Sequence, residues 1–371
     1  MTSPVRVLHL LKGLGPGGAE RLVVAQATAN GASTRQRVAY LVPAKDHLVP
    51  ELQAAGVRVD CLESASAARL GWMGRLRRLL RTDPVDVLHI HSPALAAIGR
   101  LLVRTVPRAA RPVVVGTEHN RWPRHHRLTR LANRLTIRFE AATIAVSADV
   151  ASTIRGASSG QVRVIEHGID TRAVMAAADR NGVRAELGLA ADDVVVACVA
   201  NLRREKSLDV LVEAARLACR DDDRLRYVLI GQGPLADELD GWIAAADLGD
   251  RFRALGYRSD APRVLSGADI FTLSSTHEGL PVAMMEAMAL GLPVAATDAG
   301  GVADGAGDAG LICAVGDAAA LAANHVQLAS DETLRSRLGA AASARAAHFS
   351  IDRAVGEIEA VYAEATATPA R

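Results

Sequence analysis

The sequence predicts an α/β protein with two doubly wound domains, each a parallel sheet covered by helices on both faces. The chain has 371 residues, which exceeds one domain of ordinary size. Half of the residues are apolar, so each half can form a core. Short apolar runs alternate with amphipathic stretches throughout, which is typical of strands and helices in parallel-sheet proteins.

The first domain is expected over residues 1–167. Helical periodicity fills several of the gaps between its apolar runs, as at 19–30 and 70–81. The strand candidates are the runs at 5–11, 37–42, 57–62, 85–91, 112–117, 143–147 and 162–166.

The second domain is expected over residues 168–348, because the same plan resumes after a lapse in apolar periodicity at 167–184. Residues 349–371 are expected to carry a helix that crosses back to the first domain, followed by a flexible tail. The second set of strand candidates lies at 194–200, 227–230, 252–255, 270–274 and 294–296.

Charge is divided unevenly between the two halves. The net charge is only +2, but residues 1–170 carry 24 basic and 12 acidic side chains, whereas residues 171–371 carry 19 and 29. Opposite signs indicate two domains that face each other or face different partners. Four widely spaced cysteines fit a reducing compartment. Because no signal peptide or membrane span is evident, we expect a cytoplasmic protein.

The most informative stretch, SSTHEGLPVAMMEAMALGLPVAATDAGG, begins at the carboxyl end of a predicted strand. Pro281 suits the first helical position and Gly291 a helix end, so a helix is expected from about Leu280. Its first backbone N–H groups would attract an anion. Glu278 precedes this helix end, and Glu286 lies about 9 Å along the axis.

Two carboxylates that bracket an anion site match the parts of a nucleoside diphosphate sugar. Carboxylates accept hydrogen bonds from sugar and ribose hydroxyls, and N–H groups donate to phosphate. Either glutamate alone is better explained as a surface or structural residue. The combination of Glu-x7-Glu, the helix-start proline and the preceding strand favours a ligand site.

This segment resembles the signature of glycosyltransferase family 4, whose members are retaining enzymes with the GT-B fold. Further segments resemble family segments in family order across nearly the whole chain, among them GGAERLV, DVLHIHSP, GTEHN, NLRREKSLDVLVEA and GYRSDAP. The resemblance implies two Rossmann-like domains that face a central cleft. It also implies transfer of a sugar from a nucleotide diphosphate sugar, with a UDP-sugar favoured over a GDP-sugar, to a hydroxyl acceptor.

The resemblance also assigns roles to the loop after the first strand of the second domain. Lys206 matches the family lysine that holds the diphosphate. Asn201 stands where the family usually has arginine, and a neutral amide cannot supply that charge. Arg203, two residues on, is the candidate replacement. Such cations stabilise the negative charge that grows on the leaving diphosphate.

The remaining donor contacts are implied in the same way. Glu278 would accept hydrogen bonds from the donor sugar and Glu286 from the ribose. Backbone N–H groups in the segment formed by Gly279, Leu280, Pro281 and Val282 would help to bind phosphate. Tyr257 and Arg258 resemble the segment that lines the base.

His119, in GTEHN, resembles the first-domain histidine that approaches the donor sugar. A lone histidine after a strand is more often structural, but a position at the carboxyl end of a strand makes a structural and a functional role about equally favoured. His89 and His91 share one face of a strand, where packing or cleft lining is favoured over metal ligation because no third ligand is near in sequence. The acidic run at 221–223 is best explained as a solvated loop. We expect no metal and no cofactor, with the nucleotide sugar as co-substrate.

The opening GLGPGG fits the dinucleotide pattern G-x-G-x-x-G, which suggests an oxidoreductase. That class needs an acidic residue about 20 residues later, at the end of the second strand. The first acid after that strand, Asp46, comes 28 residues after Gly18, so the fit is poor. Gly17 and Gly18 instead resemble the family's first loop, where backbone N–H groups approach the donor phosphate or the acceptor.

Two segments, 69–81 and 121–139, concentrate arginine with tryptophan and leucine. Each is by default an ordinary domain helix with a solvated face. The alternative is that these segments make a peripheral contact with the inner face of an anionic membrane, or with a lipid-linked acceptor. Nucleic acid is disfavoured because aromatic residues are only 3% of the chain and no binding motif occurs. A sugar-nucleotide epimerase and a non-catalytic sugar-nucleotide binder remain as alternative functions.

Overall fold

A computed structural model describes residues 4–15, 18–29, 33–63, 71–154, 156, 161–166 and 168–367. The chain forms two compact units. The N-terminal unit comprises Met1–Gly168 together with Ile351–Arg371, and the C-terminal unit comprises Ile169–Ser350. The sequence placed these divisions at 167/168 and 348/349.

The N-terminal unit contains a parallel seven-stranded sheet in the order β3-β2-β1-β4-β5-β6-β7. Its strands are β1 (Val5–Leu11), β2 (Thr34–Tyr40), β3 (Arg58–Cys61), β4 (Val87–Ile90), β5 (Val113–Glu118), β6 (Ala142–Ala145) and β7 (Gln161–Val164). Its helices are α1 (Gly18–Thr28), α2 (Val49–Ala54), α3 (Gly71–Thr82), α4 (Pro93–Arg104), α5 (Arg127–Thr136), α6 (Ala148–Ser152) and α16 (Ile351–Ala367).

The C-terminal unit contains a parallel six-stranded sheet in the order β10-β9-β8-β11-β12-β13. Its strands are β8 (Val194–Val199), β9 (Leu225–Ile230), β10 (Phe252–Ala254), β11 (Ile270–Leu273), β12 (Val294–Thr297) and β13 (Gly310–Cys313). Its helices are α7 (Thr171–Ala176), α8 (Arg180–Glu186), α9 (Leu208–Asp221), α10 (Ala236–Ala245), α11 (Ala261–Leu265), α12 (Val282–Ala289), α13 (Val302–Ala306), α14 (Ala318–Ser330) and α15 (Glu332–Ala346).

Apolar side chains fix helices to both faces of the first sheet. On one face, α3 buries Trp72, Leu76 and Leu80 against strand residues such as Leu8 and Leu10. On the other, α16 places apolar side chains, including Tyr362, over β1, β4 and β5. Burial of large apolar side chains contributes about 1.5–3 kcal/mol each. The last helix is therefore an integral part of the N-terminal unit.

The predicted fold class is confirmed, and the structure adds elements that the sequence did not predict. The lapse in periodicity at 167–184 contains two short helices, α7 and α8, which are capped by the side chains of Asp170 and Asp179. Strand β13 was missed because it is four residues long, begins with glycine and is only half-buried. Among the described helices, none combines the length and apolar character needed to cross a membrane.

Candidate functional site

The sheet of the C-terminal unit reverses its strand order between β8 and β11. Connections from these two strands leave in opposite directions, and ligands of open α/β sheets bind at such a switch point. Lys206 follows β8 and Glu278 follows β11. The topology therefore brings the two predicted donor-binding residues to one place.

The loop after β8 is held by its backbone. The Leu202 N–H donates to the Gln232 carbonyl at 3.0 Å, and the Leu202 carbonyl accepts from the Leu235 N–H at 3.2 Å. A Cβ on Gly233 would lie 2.4 Å from that carbonyl oxygen, so only glycine permits this approach. The side chains of Asn201 and Arg203 are exposed on the loop.

Lys206 and Glu278 form an ion pair. The Lys206 Nζ lies 2.5 Å from Glu278 Oε1, and their side chains are 18% and 9% exposed. The Ser275 hydroxyl donates to the same carboxylate oxygen at 2.6 Å, and the Ser274 hydroxyl donates to the Lys206 carbonyl at 2.8 Å. Both serines lay in the quoted SSTHEGLP segment, but the sequence analysis assigned them no role.

Helix α12 begins beside this ion pair. Pro281 is its N-cap, so the helix starts at Val282, two residues later than expected. Glu286 is consequently its fifth residue, about 6 Å along the axis from Val282 rather than 9 Å into the helix. No described side chain caps the helix start, which leaves its first N–H groups to a ligand or to water. Gly291, with a φ of 76°, ends the helix as predicted.

Two further glycines shape the loop that carries Glu278. A Cβ on Gly300 would lie 2.3 Å from the Glu278 carbonyl oxygen, and one on Gly301 would lie 2.1 Å from the Gly279 carbonyl oxygen. The loop after β12 therefore packs backbone against backbone on the Glu278–Leu280 segment. The paired glycines in TDAGG were the available signal for this contact.

In the segment predicted to line the base, Tyr257 is accessible to a ligand whereas Arg258 is already paired with carboxylates. Tyr257 is exposed, and the neighbouring Gly256 carbonyl accepts from the Gly231 N–H at 2.8 Å, which places this loop beside the end of β9. Arg258 is engaged elsewhere in the unit, because its guanidinium pairs with Asp260 at 2.7 Å and with Glu186 at 2.8 Å. A base contact by Arg258 would require these pairs to open.

The other predicted residues belong to the N-terminal unit. His119 immediately follows β5, and burial lowers its pKa to about 4, so its imidazole is neutral at pH 7. Gly18 is the first residue of α1, whereas Gly17 lies outside the described residues. Gly13 has a packing role, since its missing Cβ would lie 2.7 Å from the Lys45 Cβ. Part of the opening glycine pattern thus serves the protein's own loop packing.

His89 and His91 share a face as predicted, and the structure adds a third histidine from the adjacent strand. His9, His89 and His91 are all buried, with ligand atoms within 4.8 Å of one another, a geometry that could hold a metal ion. The His9 Nδ1 is 2.9 Å from the His91 Nε2, and the His9 Nε2 is 2.7 Å from the Gln36 Oε1. His9 could not be predicted as a member of this cluster because neighbouring strands are distant in sequence.

Both ring nitrogens of His89, the third member of this cluster, already have hydrogen-bond partners. His89 contacts the Tyr362 hydroxyl and the Thr117 hydroxyl, each at 2.6 Å. Burial lowers the pKa of His9 to about 4, which favours neutral, hydrogen-bonded rings. The contacts therefore explain the three buried histidines as a polar network that ties β1, β4, β5 and α16 together.

A second buried polar group adjoins His119. The Glu118 Oε2 lies 3.9 Å from the His125 Nε2. Trp122 belongs to a buried apolar cluster with Ala145, the strand partner of Glu118. Among the described residues, neither Glu118 Oε2 nor the Trp122 indole nitrogen makes a hydrogen bond of standard geometry. Burial, reinforced by the charge of Glu140, raises the pKa of Glu118 to about 8. The carboxyl group is therefore mostly protonated at pH 7.

Comparison with known proteins identifies the family of the chain. The model described as Glycosyltransferase Family 4 matches residues 5–173, and the model described as Glycosyl transferases group 1 matches residues 179–345. The Rhizobium meliloti lipopolysaccharide core biosynthesis mannosyltransferase LpsB is 33% identical over 54% of this chain and 60% of its own length. The Escherichia coli UDP-Gal:alpha-D-GlcNAc-diphosphoundecaprenol alpha-1,3-galactosyltransferase is 25% identical over 68% of this chain and 67% of its own length.

Solved structures agree on the fold. Anabaena Alr3699/HepE, determined in complex with UDP and glucose, superposes with a TM-score of 0.84 at 22% identity, covering 97% of this chain and 100% of that one. The sequence match to LpsB spans about three fifths of that relative. The two family models follow one another along the chain and coincide closely with its two structural units. The chain therefore belongs to the GT4-type glycosyltransferases and has their two-Rossmann-like-domain GT-B fold.

Proposed function

We propose that the protein transfers a sugar from a nucleotide diphosphate sugar, with a UDP-sugar favoured over a GDP-sugar, to a hydroxyl acceptor with retention of configuration. The observation that carries this proposal is the Lys206–Glu278 ion pair, which lies at the switch point of the C-terminal sheet beside the uncapped start of α12. It combines a cation, a carboxylate and free N–H donors, the groups that a diphosphate and sugar hydroxyls need.

Donor binding would exchange partners within this ion pair. The diphosphate would draw the Lys206 ammonium and the first N–H groups of α12 towards its oxygens. The Glu278 oxygen that now accepts from Lys206 would then accept from a sugar hydroxyl, while Ser275 continues to orient the carboxylate. Glu286, further along α12, would accept hydrogen bonds from the ribose. Each polar group thus keeps a partner in both states.

Arg203 would supply the charge that Asn201 cannot. Its guanidinium is exposed on the loop that carries Lys206 and, in the part of the chain that the structure describes, forms no ion pair. A leaving diphosphate carries more than one negative charge, so the single charge of Lys206 cannot balance it and a second cation is needed. With fixed cations and helix N–H groups in this role, we propose that no metal ion is required.

A front-face mechanism is proposed for the chemical step. The bond from the anomeric carbon to the diphosphate oxygen breaks, the acceptor oxygen attacks from the same face, and the departing phosphate takes the acceptor proton. His119, which is neutral at pH 7, would approach the donor sugar and donate or accept one hydrogen bond without adding charge beside the cationic transition state. The acceptor is proposed to be a lipid-linked or small hydroxyl compound met in the cytoplasm.

Ligand-induced thermal stabilisation tests the proposal, followed by product analysis. We expect UDP and UDP-sugars to raise the melting temperature, with GDP compounds as the second candidate and ADP compounds as the comparison. With the stabilising sugar nucleotide, we expect transfer in the presence of EDTA and an anomeric configuration equal to that of the donor. Lys206→Ala and Glu286→Ala should each weaken donor binding tenfold or more, the effect of losing about 1.4 kcal/mol or more.

Arg78→Gln, at an exposed arginine of α3 far along the chain from the site, is the matched control and should bind donor like the wild type. Absence of stabilisation by every nucleotide and nucleotide sugar would contradict the proposal. Binding that responds to both site substitutions, but without transfer to any acceptor, would favour the non-catalytic binder. Interconversion of the sugar while it stays attached to the nucleotide would identify an epimerase.

A further inference from the structure

Helix α5 exposes its leucines and buries two uncharged polar side chains. Asn133 and Thr136 are buried on its inner side. The outer side carries three leucines at i, i+3 and i+7 spacing, which form one stripe with exposures of 71%, 55% and 59%: Leu128, Leu131 and Leu135. A surface helix of a globular protein normally has the opposite arrangement.

An ion pair on the inner side explains why the helix keeps this orientation. Arg100 of α4 is fully buried and pairs with Glu140 at 2.7 Å. Its guanidinium also donates to Asn133 Oδ1 at 2.8 Å and to Thr136 Oγ1 at 3.0 Å. Rotation of α5 that buried its leucines would leave the Arg100 guanidinium without these partners, which is costly in a buried position.

The surface around the stripe is positively charged. Residues 87–139 contain nine arginines besides the buried Arg100, and a single acidic residue, Glu118, which is also buried. Arg127, Arg134 and Arg138 are exposed on α5 and the turn after it. The neighbouring helix α4 adds Leu101, which is half exposed. An apolar stripe flanked by arginines and without an exposed carboxylate is thus present on the α4–α5 face.

We propose that the α4–α5 face, defined by Leu101, Leu128, Leu131 and Leu135 with the flanking arginines, docks on an anionic membrane surface. The leucines would enter the boundary between headgroups and acyl chains, and the guanidinium groups would pair with lipid phosphates. This inference goes beyond sugar transfer and does not depend on which donor is used. It would bring the enzyme to an acceptor held in the membrane.

Charge complementarity selects this occupant over a second copy of the chain. A symmetric dimer through the same face would place arginine-rich surfaces against each other, and like charges across an interface weaken association. A bilayer with anionic lipids supplies both the negative charge and the apolar layer that the face lacks.

Vesicle flotation tests the proposal with the full chain. We expect binding to vesicles of phosphatidylcholine and phosphatidylglycerol at low ionic strength, and little binding to phosphatidylcholine alone. Replacement of all three α5 leucines, in L128S/L131S/L135S, should reduce vesicle affinity at least tenfold. Arg127→Gln with Arg134→Gln should reduce it about 30-fold, given about 1 kcal/mol for each arginine near anionic lipid.

The matched control is Arg78→Gln with Arg81→Gln on α3, which changes net charge by the same amount at two exposed arginines. This variant should keep most of the affinity. Circular dichroism and donor binding should be unchanged in all three variants, which shows that the C-terminal site is intact. The proposal is overturned if the wild type ignores anionic vesicles, if the serine variant binds as tightly as the wild type, if both arginine pairs matter equally, or if the serine variant converts a dimer into a monomer.

Discussion

Helices α3 and α5 of the N-terminal unit have similar compositions, but α3 buries its large apolar side chains and α5 exposes its leucines. Both are rich in arginine and leucine. In α3 the residues Trp72, Leu76 and Leu80 are completely buried, whereas the leucines of α5 face outward. The difference lies in what each helix packs on: α3 meets an apolar cluster of strand side chains, and α5 meets the buried ion pair of Arg100 with Glu140. The surface beneath a helix, rather than its own leucine content, decides which side chains are buried.

Removing the ion pair should have the largest effect on this contrast. Arg100→Ala leaves the Glu140 carboxylate buried without its cation and should lower the free energy of unfolding by about 3–5 kcal/mol. Urea unfolding followed by circular dichroism measures this loss. The double variant Arg100→Met with Glu140→Leu should recover much of it, because both buried charges are then gone. A single variant as stable as the wild type would show that this pair does not orient α5.

Leucine truncation compares the two helices directly. Leu76→Ala in α3 should cost about 2–5 kcal/mol of unfolding free energy, since it leaves a cavity in a packed core. Leu131→Ala in α5 should change the same quantity by no more than about 0.5 kcal/mol, as expected for an exposed position. Chemical denaturation of both variants supplies the measurement. Equal losses would mean that α5 is buried in solution by a partner or by a rearrangement.

A smaller effect should appear in the dependence of stability on pH. The pKa of Glu118 is raised to about 8, partly by Glu140, so the folded state holds a proton that the unfolded chain releases above about pH 4.5. The free energy of unfolding therefore contains the full contribution of this group below pH 4.5, and the contribution is lost as the pH rises towards 8. Between pH 5.5 and 7 the loss should be about 2 kcal/mol.

Glu118→Gln isolates this contribution, because glutamine stays neutral at every pH. The stability of the variant relative to the wild type should rise from pH 5.5 to pH 7. Buried histidines such as His9, whose pKa is lowered to about 4, act in the opposite direction as pH falls, but they are common to both proteins and cancel in the difference. A difference that does not change with pH would show that Glu118 is ionised in the folded state.

The sequence was sufficient for those features that depend on local pattern. Alternating apolar runs predicted the two parallel sheets, and the position of Pro281 and Gly291 predicted α12 to within two residues. Lys206 and Glu278 were both expected at the donor site, Lys206 from the family resemblance and Glu278 from its place after a predicted strand as well. The structure brings these two side chains together in a 2.5 Å ion pair. The donor roles of Lys206, Glu278, Arg203, Glu286 and His119 remain predictions.

Features that depend on distant partners could not be predicted. His9 joins His89 through strand pairing across 80 residues. The orientation of α5 depends on Arg100. In the sequence this residue cannot be distinguished from a surface arginine. It is buried only because Glu140, Asn133 and Thr136 supply partners for its guanidinium. The membrane hypothesis accordingly covered both arginine-rich segments, and the burial of Trp72, Leu76 and Leu80 now favours α5 alone.

The Lys206–Glu278 ion pair has a consequence for ligand discrimination under the proposed function. Because the lysine and the carboxylate satisfy each other, the pair itself presents little net attraction to small anions. Free phosphate could engage the lysine only by taking the cation from a carboxylate that is 9% exposed, and a neutral sugar could engage the carboxylate only by taking the anion from the ammonium. A molecule that carries both a diphosphate and hydroxyls replaces both partners. The ion pair therefore discriminates against metabolites that resemble only half of the donor.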